Sequence, residues 1–189
     1  MQMRRLLLFS CFTTLLLTAC SAPKKTYSGS KSRPGSSQRQ PARPGTSEQN
    51  EVYTPRNTDG YLQADGLTTN KKLSKVVNEW LGVPHRIGGK DKSGIDCSGF
   101  TSVVLRQVYQ KELVGPSATM ATKCREIKKN ELKEGDLVFF KINGVKVSHV
   151  GVYLSKGYFA HATVKKGVLI SSLAEPYYEK YYSGSGRVL

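Results

Sequence analysis

Val147-Ser148-His149-Val150-Gly151-Val152-Tyr153-Leu154 and Tyr158-Phe159-Ala160-His161-Ala162-Thr163 are two runs rich in β-branched and aromatic residues, separated by Ser155-Lys156-Gly157. Side chains alternate along a strand, and two such runs around a Gly-containing turn predict an antiparallel hairpin. A two-residue turn pairs residues whose numbers sum to an odd value, which would put His149 and His161 on opposite faces. A three-residue loop at Ser155 to Gly157 puts them on one face. Gly157 then takes the left-handed conformation that a β-branched residue resists. We expect that loop, and with it two histidines side by side.

Working outward, the period-2 pattern predicts strands over 137–142, 145–154, 158–164 and 167–171. Asn143-Gly144 (the strongest two-residue hairpin signal) and Lys165-Lys166 supply the other turns. Upstream the period changes. Leu73, Val76, Val77, Trp80 and Leu81 fall at helical spacing behind Asn70, a good N-cap, and Gly82 and Pro84 stop the helix. Phe100, Val103, Val104 and Val108 mark a second helix whose N-terminus lies at or beside Cys97. Between the helices runs a loop rich in Gly and charge, and a further loop surrounds Gly115-Pro116. Helices first and strands after them give an α+β domain over 70–189, its N-terminal helices packed on an antiparallel sheet.

A cysteine at a helix N-terminus has its thiolate favoured by the helix dipole and by free backbone N–H groups, which can also bind an oxyanion. Cys97 has that position. A cysteine nucleophile needs a base, and the chain has only three histidines: His85, His149 and His161. A cysteine on a helix facing two histidines on adjoining strands is the geometry of a papain-like hydrolase. We therefore expect both rings on the sheet face that packs against the Cys97 helix. Histidines in apolar strands also serve as satisfied structural residues, and two histidines with one cysteine could ligate zinc. Spacing alone leaves these three open.

Four stretches narrow the choice. Gly94-Ile95-Asp96-Cys97-Ser98-Gly99-Phe100, Gly135-Asp136-Leu137-Val138-Phe139-Phe140, Ser148-His149-Val150-Gly151-Val152-Tyr153-Leu154 and Phe159-Ala160-His161-Ala162 together resemble the NlpC/P60 family of bacterial cell-wall cysteine peptidases. The similarity covers about residues 71–189. The ending from Glu175-Pro176-Tyr177-Tyr178 to Arg187-Val188-Leu189 resembles the outer-membrane lipoprotein endopeptidases of that family. The resemblance implies a papain-like fold and a peptidoglycan endopeptidase acting on stem peptides through a thioester. It implies Cys97 as nucleophile, His149 as general base and His161 as the group orienting the base, with no cofactor or metal. Asp96 and Ser98 match neighbours that shape the nucleophile turn and line the cleft. Relatives read Pro-Tyr-Arg-x-Gly-Gly where this chain has Pro84-His85-Arg86-Ile87-Gly88-Gly89, so His85 stands where a tyrosine hydroxyl would approach the thiol. A catalytically silent wall-binding lipoprotein is the alternative, as is an amidase or acyltransferase on the same scaffold.

Residues 20–69 hold Pro23, Pro34, Pro41, Pro44 and Pro55 among Ser, Thr, Gln and Arg, with almost no aliphatic side chains. Such a segment buries too little to offset its ordering entropy, and reads as a disordered linker with a reach of roughly 35–40 Å. Ahead of it, Arg4 and Arg5 precede the apolar run Leu6 to Leu17, which has the layout of a secretory signal over 1–19. The run ends in Leu17-Thr18-Ala19-Cys20, which resembles the lipobox of bacterial lipoproteins. Cys20 would then be acylated, and Ser21 after it resembles sorting to the outer membrane, facing the periplasm, in a Gram-negative cell. Cys11 leaves with the signal. We expect Cys97 to remain a free thiol and Cys124 to fill a half-buried packing role.

The 189 residues carry 29 basic and 14 acidic side chains, a formal charge of +15. No stretch reaches the ~20 apolar residues of a membrane span, which excludes a polytopic membrane protein. No zinc-finger, Walker or dinucleotide glycine pattern is present. The expected partners are carboxylate-bearing stem peptides and a membrane reached through the lipid, with no nucleic acid. The domain is expected to act as a monomer.

Overall fold

The computed structural model describes residues 56–142 and 144–189. Helix α1, Lys71–Trp80, begins as the pattern predicts. The Asn70 side chain accepts the N–H groups of Lys72 and Leu73, and Leu73, Val76, Val77 and Trp80 are buried. After α1 the chain turns at Gly82 with φ +77°. A two-stranded ribbon, β1 (Lys90–Asp91) and β2 (Gly94–Ile95), leads into α2, Cys97–Tyr109. A short α3, Ser117–Lys123, follows.

Six antiparallel strands form the sheet. They are β3 (Arg125–Ile127), β4 (Leu137–Phe140), β5 (His149–Tyr153), β6 (Tyr158–Thr163), β7 (Gly167–Ser172) and β8 (Tyr182–Arg187). Across the sheet the order is β3-β8-β4-β5-β6-β7. Helix α4, Pro176–Tyr181, crosses between β7 and β8. At the β7 edge the segment after α1 is bonded to the strand: Gly82 donates to the Val168 carbonyl at 2.8 Å, and Val168 donates to that of Val83 at 2.9 Å. Gly167 has no side chain because a Cβ there would strike the Val83 carbonyl.

Both sheet faces are covered, and alternation sorts the strands between them. Val150, Val152, Ala160, Ala162, Leu137 and Phe139 pack with Leu73, Val77, Phe100, Val103 and Val104 of α1 and α2. Val138, Phe140 and Phe159 form a second core with Leu173 and Tyr178, the latter from α4.

The β5–β6 hairpin has the expected loop. Leu154 donates to Tyr158 O and Tyr158 to Ser155 O, and Gly157 has φ +83°. Lys156 is also left-handed, at φ 52°. The β4–β5 connection departs from expectation: Phe140 pairs with His149, and residues 141–148 join the strands in place of a two-residue turn. Asn143 lies outside the described residues. Ser148 accounts for the longer loop, because its hydroxyl accepts the Ile142 N–H at 3.0 Å while its own N–H reaches Phe140 O at 2.9 Å. A side chain thus replaces the ladder, and Val145 has no face to bury and is 85% exposed.

The domain also starts earlier than residue 70. Ala64 and Leu67, which composition assigns to the linker, lie fully buried in the first core. Asp65 accepts hydrogen bonds from Ser74 Oγ and Asn78 Nδ2, and the Ala64 N–H donates to Asn78 Oδ1. Bonds to polar groups on α1 hold this segment where aliphatic content is low. The signal over 1–19, Cys20 and the linker as far as residue 55 lie outside the described residues.

Candidate active site

Asp96 caps α2. Its Oδ1 accepts the Gly99 N–H at 2.7 Å and the Ser98 hydroxyl at 2.8 Å, and its Oδ2 accepts the Gly88 N–H at 2.8 Å. Burial pushes this carboxyl up, but those donors, with the nearby His85, outweigh it and hold the group below the usual carboxylate range. Asp96 and Ser98 therefore spend much of their bonding capacity within the turn that opens α2. A Cβ on Gly99 would come within 2.6 Å of the Gly89 carbonyl, so the glycine lets the 85–89 loop lie against the helix start.

Cys97 is the first residue of α2, half-buried and free, as is Cys124. Burial pushes the Cys124 thiol up to about 11. Cys97 differs from the thiolate that a helix N-terminus suggests. Burial raises its thiol above the ordinary value and the Asp96 charge adds to this, while the N–H groups of Val150, Ser98 and Cys97 itself pull the other way without prevailing. The Val150 N–H is available because the β5–β6 ladder pairs Val152 with Ala160 and Tyr153 with Phe159. At Val150 the two strands have parted, and the Cys97 sulfur takes the place of β6. Its neighbour in β5 is His149.

The two strand histidines form a pair, with His149 Nε2 2.7 Å from His161 Nδ1 and the ring centroids 5.0 Å apart. They share a face, as the loop parity requires, but it is the opposite face from the one expected. Val150, Val152, Ala160 and Ala162 face α1 and α2, so His149 and His161 point to the other core. There they meet Phe140, Phe159 and Tyr178. The Cys97 sulfur, bonded to the Val150 N–H, lies at the end of the hairpin, one residue along β5 from His149. Gly151 lets Phe159 and His161 lie close against β5: a Cβ there would lie 2.6 Å from the Phe159 ring and 3.2 Å from His161 Cβ. A glycine inside a strand signals such a close approach, and was the clue available in the sequence.

Burial dominates the electrostatics of the pair. It lowers His149 to about 4, with His85 adding repulsion, and it drives the fully buried His161 well below 6.5, with His149 adding to the effect. Both imidazoles are neutral at pH 7. With His149 Nε2 bonded to His161 Nδ1, His149 Nδ1 is the ring nitrogen outside the pair. His85 is half-buried and bridged to Ile95, close enough for its charge to act on both His149 and Asp96. His85 thus lies near the helix start, and His149 links it to His161. Among the described residues no group of three or more His, Cys, Asp or Glu could hold a metal ion.

A helix-borne cysteine beside a hydrogen-bonded histidine pair on an antiparallel sheet defines a thiol hydrolase of the papain-like class. The NlpC/P60 family model matches residues 82–187, and the chain belongs to that family. It is 42% identical over 127 residues to a probable endopeptidase NlpC homolog of Haemophilus influenzae, covering 67% of each chain. It is 40% identical over 123 residues to the murein DD-endopeptidase MepS/murein LD-carboxypeptidase of Escherichia coli, covering 65% of each. The chain thus spans about two thirds of the length of these relatives. Among solved structures, an NlpC/P60 family protein from Bacillus cereus superposes with a TM-score of 0.58 at 28% identity, over 75% of this chain and 43% of that one.

Proposed function

We propose that the chain is a peptidoglycan endopeptidase that hydrolyses an amide bond in or between stem peptides. The observation that carries it is the 2.7 Å His149–His161 pair beside a cysteine at a helix N-terminus. As the Cys97 sulfur attacks the carbonyl carbon, His149 Nδ1 takes the thiol proton, and His161 receives the Nε2–H bond of the resulting imidazolium. The tetrahedral oxyanion forms beside the N–H groups at the start of α2. It collapses by expelling the amine, to which His149 returns the proton, leaving a thioester. Water, deprotonated by His149, then releases the acid and the free thiol. A thiol and a neutral imidazole at rest suit this order, with the proton moving only when the substrate is in place.

His85, Asp96 and Ser98 border the approach to the sulfur, and His85 stands where relatives carry a tyrosine. The basic balance suits the carboxylates of stem peptides. We further propose that Cys20 carries a lipid anchor after removal of the signal. In a Gram-negative cell this would set the monomeric domain on the outer membrane facing the periplasm, tethered by the linker. Mass spectrometry of muropeptides digested with the mature chain tests the reaction. Cleaved stem peptides are expected, and none with Cys97→Ala. Intact muropeptides with a folded, wall-bound chain would favour the silent binding lipoprotein instead.

A further inference from the structure

We propose that Tyr178 is a positioning residue for the histidine pair: its ring closes over His161 and keeps His161 Nδ1 turned toward His149 as a hydrogen-bond acceptor. Tyr178 comes from α4, an element with no part in the chemistry described above. Its ring stands at 89° to the His161 imidazole with centroids 5.1 Å apart. Phe159 covers the same imidazole at 4.6 Å, and Tyr178 is itself packed against Phe159 at 5.0 Å and Phe140 at 5.5 Å. Phe140 in turn lies 5.8 Å from the His149 ring, so one aromatic cluster touches both histidines. The Tyr178 hydroxyl is engaged by Ser171 on β7, so it is the ring, not the hydroxyl, that meets His161.

His161 Nε2 is the counterpart of this arrangement. It is buried and has no hydrogen-bond partner among the described residues. If Nδ1 accepts from His149, the His161 proton sits on Nε2, where it meets aromatic walls and at most a weak N–H···π contact. An acceptor or a water at Nε2 would favour the charged ring and allow it to turn, and the accepting nitrogen would be lost. The groups facing the pair are few: on β5 His149 itself with His85 beyond it, from α2 the Cys97 thiol beside β5 with Asp96 next to it, Ser171 on β7, and Tyr178 on α4 with Glu175 and Tyr177 beyond it. Among the described residues no carboxylate is hydrogen-bonded to either imidazole, so the aromatic cover is what sets the tautomer. This rests on His149 acting as the base.

The test uses the full chain, with Tyr178→Phe and Tyr178→Leu, and reads both the histidine ring nitrogens by NMR and the pH profile of hydrolysis. Wild type and Tyr178→Phe are expected to show His161 protonated on Nε2 and not titrating in the ordinary histidine range. Tyr178→Leu is expected to admit water, to let His161 titrate in that range, and to move the acidic limb of kcat/KM up by about one unit. Its kcat should fall about tenfold, the scale on which orienting partners act, with KM nearly unchanged. A folded Tyr178→Leu chain with unchanged ring spectra and pH profile would overturn the proposal. Wild-type His161 protonated on Nδ1 would do so too, and decides the matter even where the leucine variant does not fold. Absence of hydrolysis by the wild type would count against the proposed function alone, since the ring spectra need no substrate.

Discussion

Arg187 grips Asp136 with two hydrogen bonds of 2.6 Å, from Nε to Oδ1 and from Nη2 to Oδ2, tying β8 to the residue just before β4. Asp136 is only 2% exposed and also accepts the Lys133 N–H, so its removal would strand donors on two elements. Asp136→Ala is expected to destabilise the domain by about 1–3 kcal/mol, the cost of leaving buried hydrogen-bonding groups unpaired, since the partly exposed Arg187 can turn to water. Urea unfolding reads the loss, and activity per folded molecule should hold because neither residue touches the histidines.

The histidine pair makes stability depend on pH with a definite sign. In the unfolded chain both rings titrate near 6.5; folded, His149 titrates at about 4, and burial pushes His161 well below 6.5. Between those values the unfolded chain binds protons that the folded one refuses, so stability rises with pH. The contribution is complete above about 6.5 and is lost as pH falls toward 4. Urea midpoints from pH 4 to 7 should follow that slope, and His161→Gln should flatten it. A midpoint independent of pH in both chains would contradict a buried neutral pair.

The same neutrality sets the acidic limb of the rate. With the base uncharged down to about 4, kcat/KM should hold well below pH 6 and fall only near that value. A limb at 6.5 would mean that His149 is solvated in the working enzyme.

Gly151→Ala places a methyl group against the Phe159 ring and the His161 Cβ. The expected cost is about 1–3 kcal/mol of stability, the range for overpacking a filled core. A lower kcat should accompany it, since the displaced ring is the one bonded to His149. Thermal unfolding and initial rates measured side by side separate the two effects.

His85→Tyr restores the residue that relatives carry and should be tolerated, with a shift in substrate preference or pH optimum. His85→Ala should lower activity more than stability. Unchanged kinetics on native muropeptides would make His85 an ordinary loop histidine.

Cys20→Ser should leave the protein unacylated and absent from washed membranes. Membrane fractionation after a high-salt wash checks this, because salt removes an attachment made only through basic residues.

What could be read from the residues was local. Asn70 and the Leu73-to-Trp80 spacing define α1, and the parity of 149 and 161 with Gly157 defines the hairpin loop. The sheet face was not legible, because both faces are apolar: Val150 and Val152 alternate with a glycine and Tyr153, and nothing in that pattern says which side meets a helix. Strand β8 was hidden as well. Its Tyr-Ser-Gly-Ser-Gly-Arg run has little strand propensity, and it pairs because Ser183 and Ser185 satisfy carbonyls of Phe139 and Ile127. Gly186 is there because a Cβ would crowd that of Cys124 at 2.5 Å. The early start of the domain at Ala64 and Leu67 escaped composition because polar bonds to α1 hold it. The pairing of His149 with His161 was legible because the parity of their positions puts them on one face. Tyr178 was not, since its role depends on where α4 crosses the sheet.

The backbone clasp of Gly82 and Val83 on β7 has a consequence for what can stick to this molecule. An open strand edge is a template for another chain. Here one edge is already bonded by the chain's own loop. The opposite edge is only the three residues of β3, two of them the exposed charges Arg125 and Glu126. Neither border invites strand addition, by a second copy or by a peptide from the wall. Selection of substrate is thereby left to the cleft at the start of α2, and self-association through the sheet is discouraged at both ends.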